Sequence, residues 1–265
     1  SAARLTGRVL FVGRVSPEKG LHTLIAAWPT IVANCPEARL EIVGPSATLP
    51  REFLVDLSTD NDVRDLARFY PGGIEYLGSY EAALRAIIPQ AIASTVSFVG
   101  AQPYAELARR YCEASVVVNP SLSESFGMSL IEAMSNDTPV VATRVGGMTE
   151  IMRATGGGIV VEKNDPKALA IEVIGLLKDP DRAAELGRRG ASRVADLYSW
   201  EKIAKSTRDI YDLALSNHRR SGRVAAPGRD QRRALNDVKV EPVSSPHSQL
   251  TASPTRKMRS AGSSG

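Results

Sequence analysis

The chain has 265 residues, 43% hydrophobic and 5% aromatic, with two cysteines and a formal net charge of +4. That apolar content suffices for one large core or two small ones, while two cysteines make neither a disulfide framework nor a thiolate metal quartet. Ten Lys/Arg against three Asp/Glu lie in residues 217–265, leaving residues 1–216 at −3, so the basic balance does not mark the folded part as a nucleic-acid binder.

The opening SAARLTGRVLFVG lacks the charged start, apolar middle and small-residue cleavage site of a secretory leader, and no run of eighteen apolar residues follows. With Cys35 and Cys112 read as reduced thiols, the expected location is cytoplasmic. RVLFVG (8–13) is the first of several short apolar runs; the others are RLEIVG (39–44), VSFVG (96–100), SVVVNP (115–120), PVVAT (139–143) and GIVV (158–161). They are rich in Val and Ile and do not alternate with polar residues. Strands of that kind are buried on both faces, as in a parallel sheet. Helical periodicity occupies 19–34, 80–93, 103–113, 127–136 and 165–178. Strand alternating with helix predicts right-handed crossovers and a doubly wound, mostly parallel, Rossmann-like α/β domain.

The stretch from Pro45 to Ser97 is less regular. LSTDNDVRDLARFYPGG within it reads as a polar helix closed by Pro71-Gly72-Gly73. After residue 180 only helices are expected, the last of them N-capped by Ser199, with Lys202 where a capping-box Glu would stand. From Ser216 onward Ser, Pro, Arg and Gly dominate. The sequence therefore predicts one domain over 1–216 and a basic, disordered tail over 217–265.

In a doubly wound sheet, ligands bind beyond the carboxyl ends of the strands. Behind the first strand stand Gly13, Arg14 and Lys19 in GRVSPEKG. Glycine allows close approach of the backbone, and the two cations can flank one anion. Lys19 near a helix start is disfavoured by the dipole unless an anion sits there. Behind the fourth strand runs SLSESFGMSLIEAM (121–134), in which Glu124 precedes a helix opened by Gly127 and Glu132 lies one turn inside it. Met128 lies four residues from each acid, so one face is expected to link the loop to the helix. The first amides of that helix, near Met128, Ser129 and Leu130, have no intrahelical partner and form a phosphate seat. Glu124 cannot bind the phosphate and is expected to take hydroxyls beside it. Gly146-Gly147 opens a further helix at the next strand end. His22 falls on an amphipathic face, His218 and His247 in the tail, and none shares a metal-ligand spacing with another Cys, His or acid. GxSxG and P-loop motifs are absent, and no GxGxxG follows the first strand.

PSLSESFGMSLIEAM with TPVVATRVGGMTEI, VGRVSPEKGLHTLI and SWEKIA together resemble the family 4 retaining glycosyltransferases of the GT-B fold, over roughly residues 7–215. The resemblance implies a nucleotide-diphosphate sugar, UDP- or GDP-linked, as donor, no cofactor and no metal. Arg14 and Lys19 would bind its diphosphate, with Gly13 admitting the phosphates. Glu124 would hold donor-sugar hydroxyls. Ser123, Phe126, Gly127, Met128, Ser129 and Leu130 would line the sugar and phosphates, and Glu132 would take the ribose. The turn Val99, Gly100, Ala101 to Pro103 would cradle the base. Transfer would retain configuration, the leaving phosphate deprotonating the acceptor; a carboxylate nucleophile would have to be Glu124. Asn136-Asp137 replaces the family's small-residue–glycine step, and both residues tolerate the left-handed conformation that ends the helix. The resemblance also implies an N-terminal acceptor-binding half, in cis or as a separate chain, through which a membrane face would be contacted. Without that half, donor binding with weak or no hexosyl transfer is expected; a non-catalytic nucleotide-sugar-binding module is the alternative. No nucleic-acid partner is expected.

Overall fold

The computed structural model describes residues 4–221. Of these, residues up to Thr207 belong to one compact unit and residues 208–221 to a second.

In the first unit, six strands form one parallel sheet in the order β3-β2-β1-β4-β5-β6. They are β1 (Arg8–Val12), β2 (Arg39–Val43), β3 (Val96–Gly100), β4 (Val116–Asn119), β5 (Val140–Thr143) and β6 (Gly158–Val161). All six expected strands are present, and the unbroken apolar runs have the predicted cause. Val9 and Phe11 of β1 enter one core cluster while Leu10 enters the other, and Val116 and Val118 of β4 oppose Val117 in the same way. Both faces are thus buried, which no alternating strand would allow.

The helices between strands are α1 (Leu21–Asn34), α5 (Tyr104–Glu113), α6 (Met128–Ser135) and α7 (Gly146–Thr155), followed by α8 (Pro166–Lys178) and α9 (Pro180–Tyr198). Trp28 of α1 is fully buried and its Nε1 donates to Thr95 Oγ1 at 2.8 Å, fixing α1 to the entry of β3. Helix α6 ends as its sequence requires: Asp137 stands at φ 57, the left-handed position that a glycine usually fills. Helix α10 (Trp200–Ser221) begins where Ser199 Oγ accepts from the Lys202 amide at 3.4 Å. It continues past the expected boundary at 216, so residues 217–221 are helical; the rest of the expected tail, 222–265, lies outside the described residues.

The segment after β2 departs from its expectation. In place of one polar helix it holds α2 (Arg51–Leu54), α3 (Asn61–Arg64) and a 3-10 turn at Asp65–Phe69, while the helix expected over 80–93 is present as the shorter α4 (Tyr80–Ile87), followed by a 3-10 turn at Gln90–Thr95. Its order comes from distant partners. Lys163, from the loop after β6, pairs with Asp60 and lies 3.2 Å from Asp62, and Asn164 Nδ2 donates to Asp62 at 3.1 Å. Short helices gain little from their own hydrogen bonds and depend on such contacts.

The same segment encloses His22. Tyr80 Oη accepts from the His22 amide at 3.0 Å and lies 2.8 Å from Nδ1, and the Phe69 ring centroid is 5.0 Å away. With the Tyr80 hydroxyl donating to Nδ1, the imidazole is neutral. Burial, reinforced by Arg68, lowers its pKa from 6.5 to about 3. Between those two values the unfolded chain binds a proton that the folded chain refuses, so stability falls on acidification through that window. The slope is at most about 1.4 kcal/mol per pH unit. Denaturation curves of wild type and His22→Gln between pH 6.5 and 4.5 should converge as pH falls, the wild type losing more; parallel curves would contradict the assignment.

Candidate functional site

The winding of the sheet reverses between β1 and β4, where such sheets bind their ligands. Two loops meet there, one from Gly13 to Gly20 behind β1, the other from Pro120 to Gly127 behind β4. Gly20 makes the meeting possible. It sits at φ 67, and a Cβ on it would stand 1.9 Å from the Pro120 carbonyl oxygen and 2.8 Å from Leu122 Cδ1. Across this contact the Glu18 carbonyl accepts from the amides of Leu122 at 2.8 Å and Ser123 at 3.3 Å.

The loops thereby bring Lys19 and Glu124, 105 residues apart, to 2.7 Å, with side chains only 17% and 14% exposed. Screening by water is limited at that burial, so this pair is stronger than a surface ion pair. Arg14 stands nearer solvent, its side chain 39% exposed, and donates through Nη2 to Glu18 Oε1 at 3.1 Å. The Glu124 loop is braced from behind by α7. A Cβ on Gly146 would lie 1.8 Å from the Glu124 carbonyl oxygen, and the Gly147 amide donates to Ser125 O at 3.3 Å. The Gly146-Gly147 pair therefore seats the loop as well as opening a helix.

Helix α6 starts behind Gly127 at φ 103, the residue that lets the chain turn from the loop into the helix. The Leu130 amide, expected to lack a partner, is engaged by the turn itself and donates to Gly127 O at 3.0 Å, so the expected phosphate seat narrows to the turn that holds Met128 and Ser129. Ser129 Oγ accepts from Asn119 Nδ2 at 3.1 Å, and Asn119 Oδ1 accepts from the Ser121 hydroxyl at 2.7 Å and amide at 3.2 Å. Asn119, at the end of β4, thus locks both sides of the loop.

Glu132 is not gathered with Glu124. It accepts through Oε2 from the Tyr111 hydroxyl of α5 at 2.7 Å. Burial and then the neighbouring carboxylate push the Tyr111 phenol far above its ordinary value. Glu124 lies in the loop just before α6, where it was expected, and turns to Lys19. Glu132 instead lines a cleft of about 660 Å³ between α5, α6, α9 and the first turn of α10, with Tyr104, Phe126, Asn136, Tyr198 and Trp200 among its walls. Phe126 meets Tyr198 edge-on at 6.2 Å. Pockets of this size and apolar lining are typical of small-molecule sites.

The Val99–Pro103 turn stands one residue before the cleft wall at Tyr104. Gly100 takes φ 77 and its carbonyl accepts from the Gly44 amide at 3.0 Å. Gln102 Nε2 donates to the carbonyls of Val99 at 3.3 Å and Ala101 at 3.0 Å. Pro103 is the N-cap of α5. Gly13 packs against the β2 exit, where a Cβ on Gly44 would come within 1.9 Å of the Gly13 oxygen. Sequence reasoning missed Glu18, Gly20, Asn119 and Tyr111. Only Gly20, a glycine directly after Lys19, left a readable signal. Among the described residues no three His, Cys, Asp or Glu side chains are grouped to hold a metal ion, and no helix is long and apolar enough to cross a membrane.

A family model described as "Glycosyl transferases group 1" matches residues 6–193. A D-inositol 3-phosphate glycosyltransferase of Streptomyces griseus is 33% identical over 222 residues, covering 81% of this chain and 41% of the relative. The chain thus spans less than half the length of the curated relatives it matches. Among solved structures, the sucrose-phosphate synthase of Thermosynechococcus elongatus superposes with a TM-score of 0.61 at 32% identity, over 80% of this chain and 46% of its own. Anabaena HepE, solved with UDP and glucose, superposes at 0.58 with 20% identity over 78% and 48%, a likeness of fold.

Proposed function

Because this chain belongs to the glycosyl transferases of group 1, we propose that it supplies the donor-binding half of a retaining transfer from a nucleotide-diphosphate sugar to an acceptor hydroxyl. The observation that carries the reading is the junction of Lys19, Glu124 and the α6 start at the switch point. A cation and a helix N-terminus favour a diphosphate, and a carboxylate beside them favours the hydroxyls of an attached sugar. HepE, which shares the fold, was solved with UDP.

In this reading Lys19 stays beside Glu124 and touches the phosphate, so one ammonium serves both. Arg14 adds charge at the solvent edge of the site. As the bond to the sugar breaks, charge grows on the leaving diphosphate, and these groups already face it. Preorganised charge of this kind lowers the barrier without reorganisation at the moment of reaction. Glu132 exchanges its Tyr111 bond for the ribose hydroxyls, and the base lies toward the Val99–Pro103 turn. The acceptor is deprotonated by the departing phosphate, which leaves Glu124 as a holder of the sugar. The acceptor-binding half belongs to another part of the protein or to a separate chain, and any contact with a membrane face is made through it.

Calorimetry with UDP- and GDP-sugars in EDTA tests the reading. One of them should bind in the micromolar to millimolar range, roughly 4 to 8 kcal/mol, and Lys19→Ala combined with Glu132→Ala should remove that binding. Binding that survives the double substitution would overturn the site.

A further inference from the structure

Glu18 has no part in the reading so far, yet it is the one acid among the described residues that is buried, at 3% exposure. A carboxylate beneath an anion-binding loop needs a reason, because removing it from water costs several kcal/mol unless it is paired. Its contacts supply one. Oε1 accepts from Ser16 Oγ at 2.5 Å and from Arg14 Nη2 at 3.1 Å. Its carbonyl oxygen accepts from the amides of Leu122 and Ser123 in the facing loop. Oε2 is buried with no protein partner. The turn Pro17–Lys19 that carries Glu18 packs against the 3-10 turn Asp65–Phe69 of the segment after β2.

Arg14 is more than a third exposed, on a long, freely rotating stem. Glu18 occupies one of its five N–H donors and leaves the others available. We propose that Glu18 is a positioning residue, holding the Arg14 guanidinium through Oε1 and the Leu122–Ser123 turn through its carbonyl, so that both loops stand ready for a diphosphate. The inference rests on the diphosphate reading above. Glu18 also brings a negative charge to an anion site, but Arg14 offsets that charge locally. Removing the carboxylate therefore leaves a mobile cation and no gain in attraction.

Position and charge separate in three variants of the full chain, titrated with UDP and GDP. Glu18→Gln keeps an acceptor oxygen for Arg14 and Ser16 and should bind within threefold of wild type. Glu18→Asp keeps the charge, falls one methylene short and should lose at least tenfold. Glu18→Ala should lose as much. In an Arg14→Ala background, Glu18→Asp should cost less than twofold further, because the group it positions is gone. The proposal is overturned if Glu18→Asp binds like wild type, if Glu18→Gln loses as much as Glu18→Asp, or if the loss persists undiminished without Arg14. Melting temperatures show which variants fold, and the Gln and Asp forms carry the test if the Ala form does not. If wild type binds neither nucleotide, or Arg14→Ala binds as wild type does, the diphosphate reading itself fails, and this inference with it.

Discussion

Gly20→Ala is expected to destabilise the protein by about 3 kcal/mol and to lower its melting temperature by about 10 °C. Two effects add. The residue sits at φ 67, where a non-glycine residue costs about 1 kcal/mol. The new Cβ would also meet the Pro120 carbonyl oxygen at 1.9 Å, a backbone atom that cannot rotate away. Forcing the loops apart to relieve that contact costs about 2 kcal/mol, as overpacking does elsewhere. Gly72→Ala separates the terms, because Gly72 also has a positive φ, +86, but nothing lies within 4 Å of its Cβ position. It should cost about 1 kcal/mol. Equal melting temperatures for the two variants would mean that the loops at the switch point are not in close contact.

Lys19→Ala is expected to weaken UDP binding by about two orders of magnitude, near 3 kcal/mol, as befits loss of a charge-assisted contact in a partly enclosed site. It should also reduce stability, because Glu124, 14% exposed, would be left without its cation. A second substitution disentangles the two losses. Lys19→Ala with Glu124→Gln removes the unpaired charge, so melting should recover toward wild type while UDP affinity stays low. If affinity recovers together with melting, Lys19 serves the fold alone and not the ligand.

The sheet was legible in the sequence because parallel strands must be apolar on both faces, and RVLFV or VVAT announces that directly. Helices α5 to α7 were legible for a similar reason, each lying between two such strands, and α8 by its own period after the last of them. The segment between β2 and α4 was not, since α3 is held by Lys163 and Asn164, about a hundred residues away. No local pattern encodes such a partner. The site divides in the same way. Gly13, Arg14, Lys19, Glu124 and Gly127 stand at strand exits and helix starts, which the alternation of elements locates. That Lys19 pairs with Glu124, and Glu132 with Tyr111, depends on how two loops and two helices meet, which residue spacing does not encode. Glu18 was hidden most completely, because as sequence it is an ordinary acid in a loop and only burial distinguishes it.

The most direct measurement is a crystal structure of the chain with UDP. Density for the diphosphate is expected at the switch point, its oxygens within about 3.2 Å of Lys19 Nζ and of the Met128 and Ser129 amides, with the Lys19–Glu124 contact kept. A diphosphate bound elsewhere, with Lys19 and the α6 start making no contact to it, would show that the switch point is not the donor site.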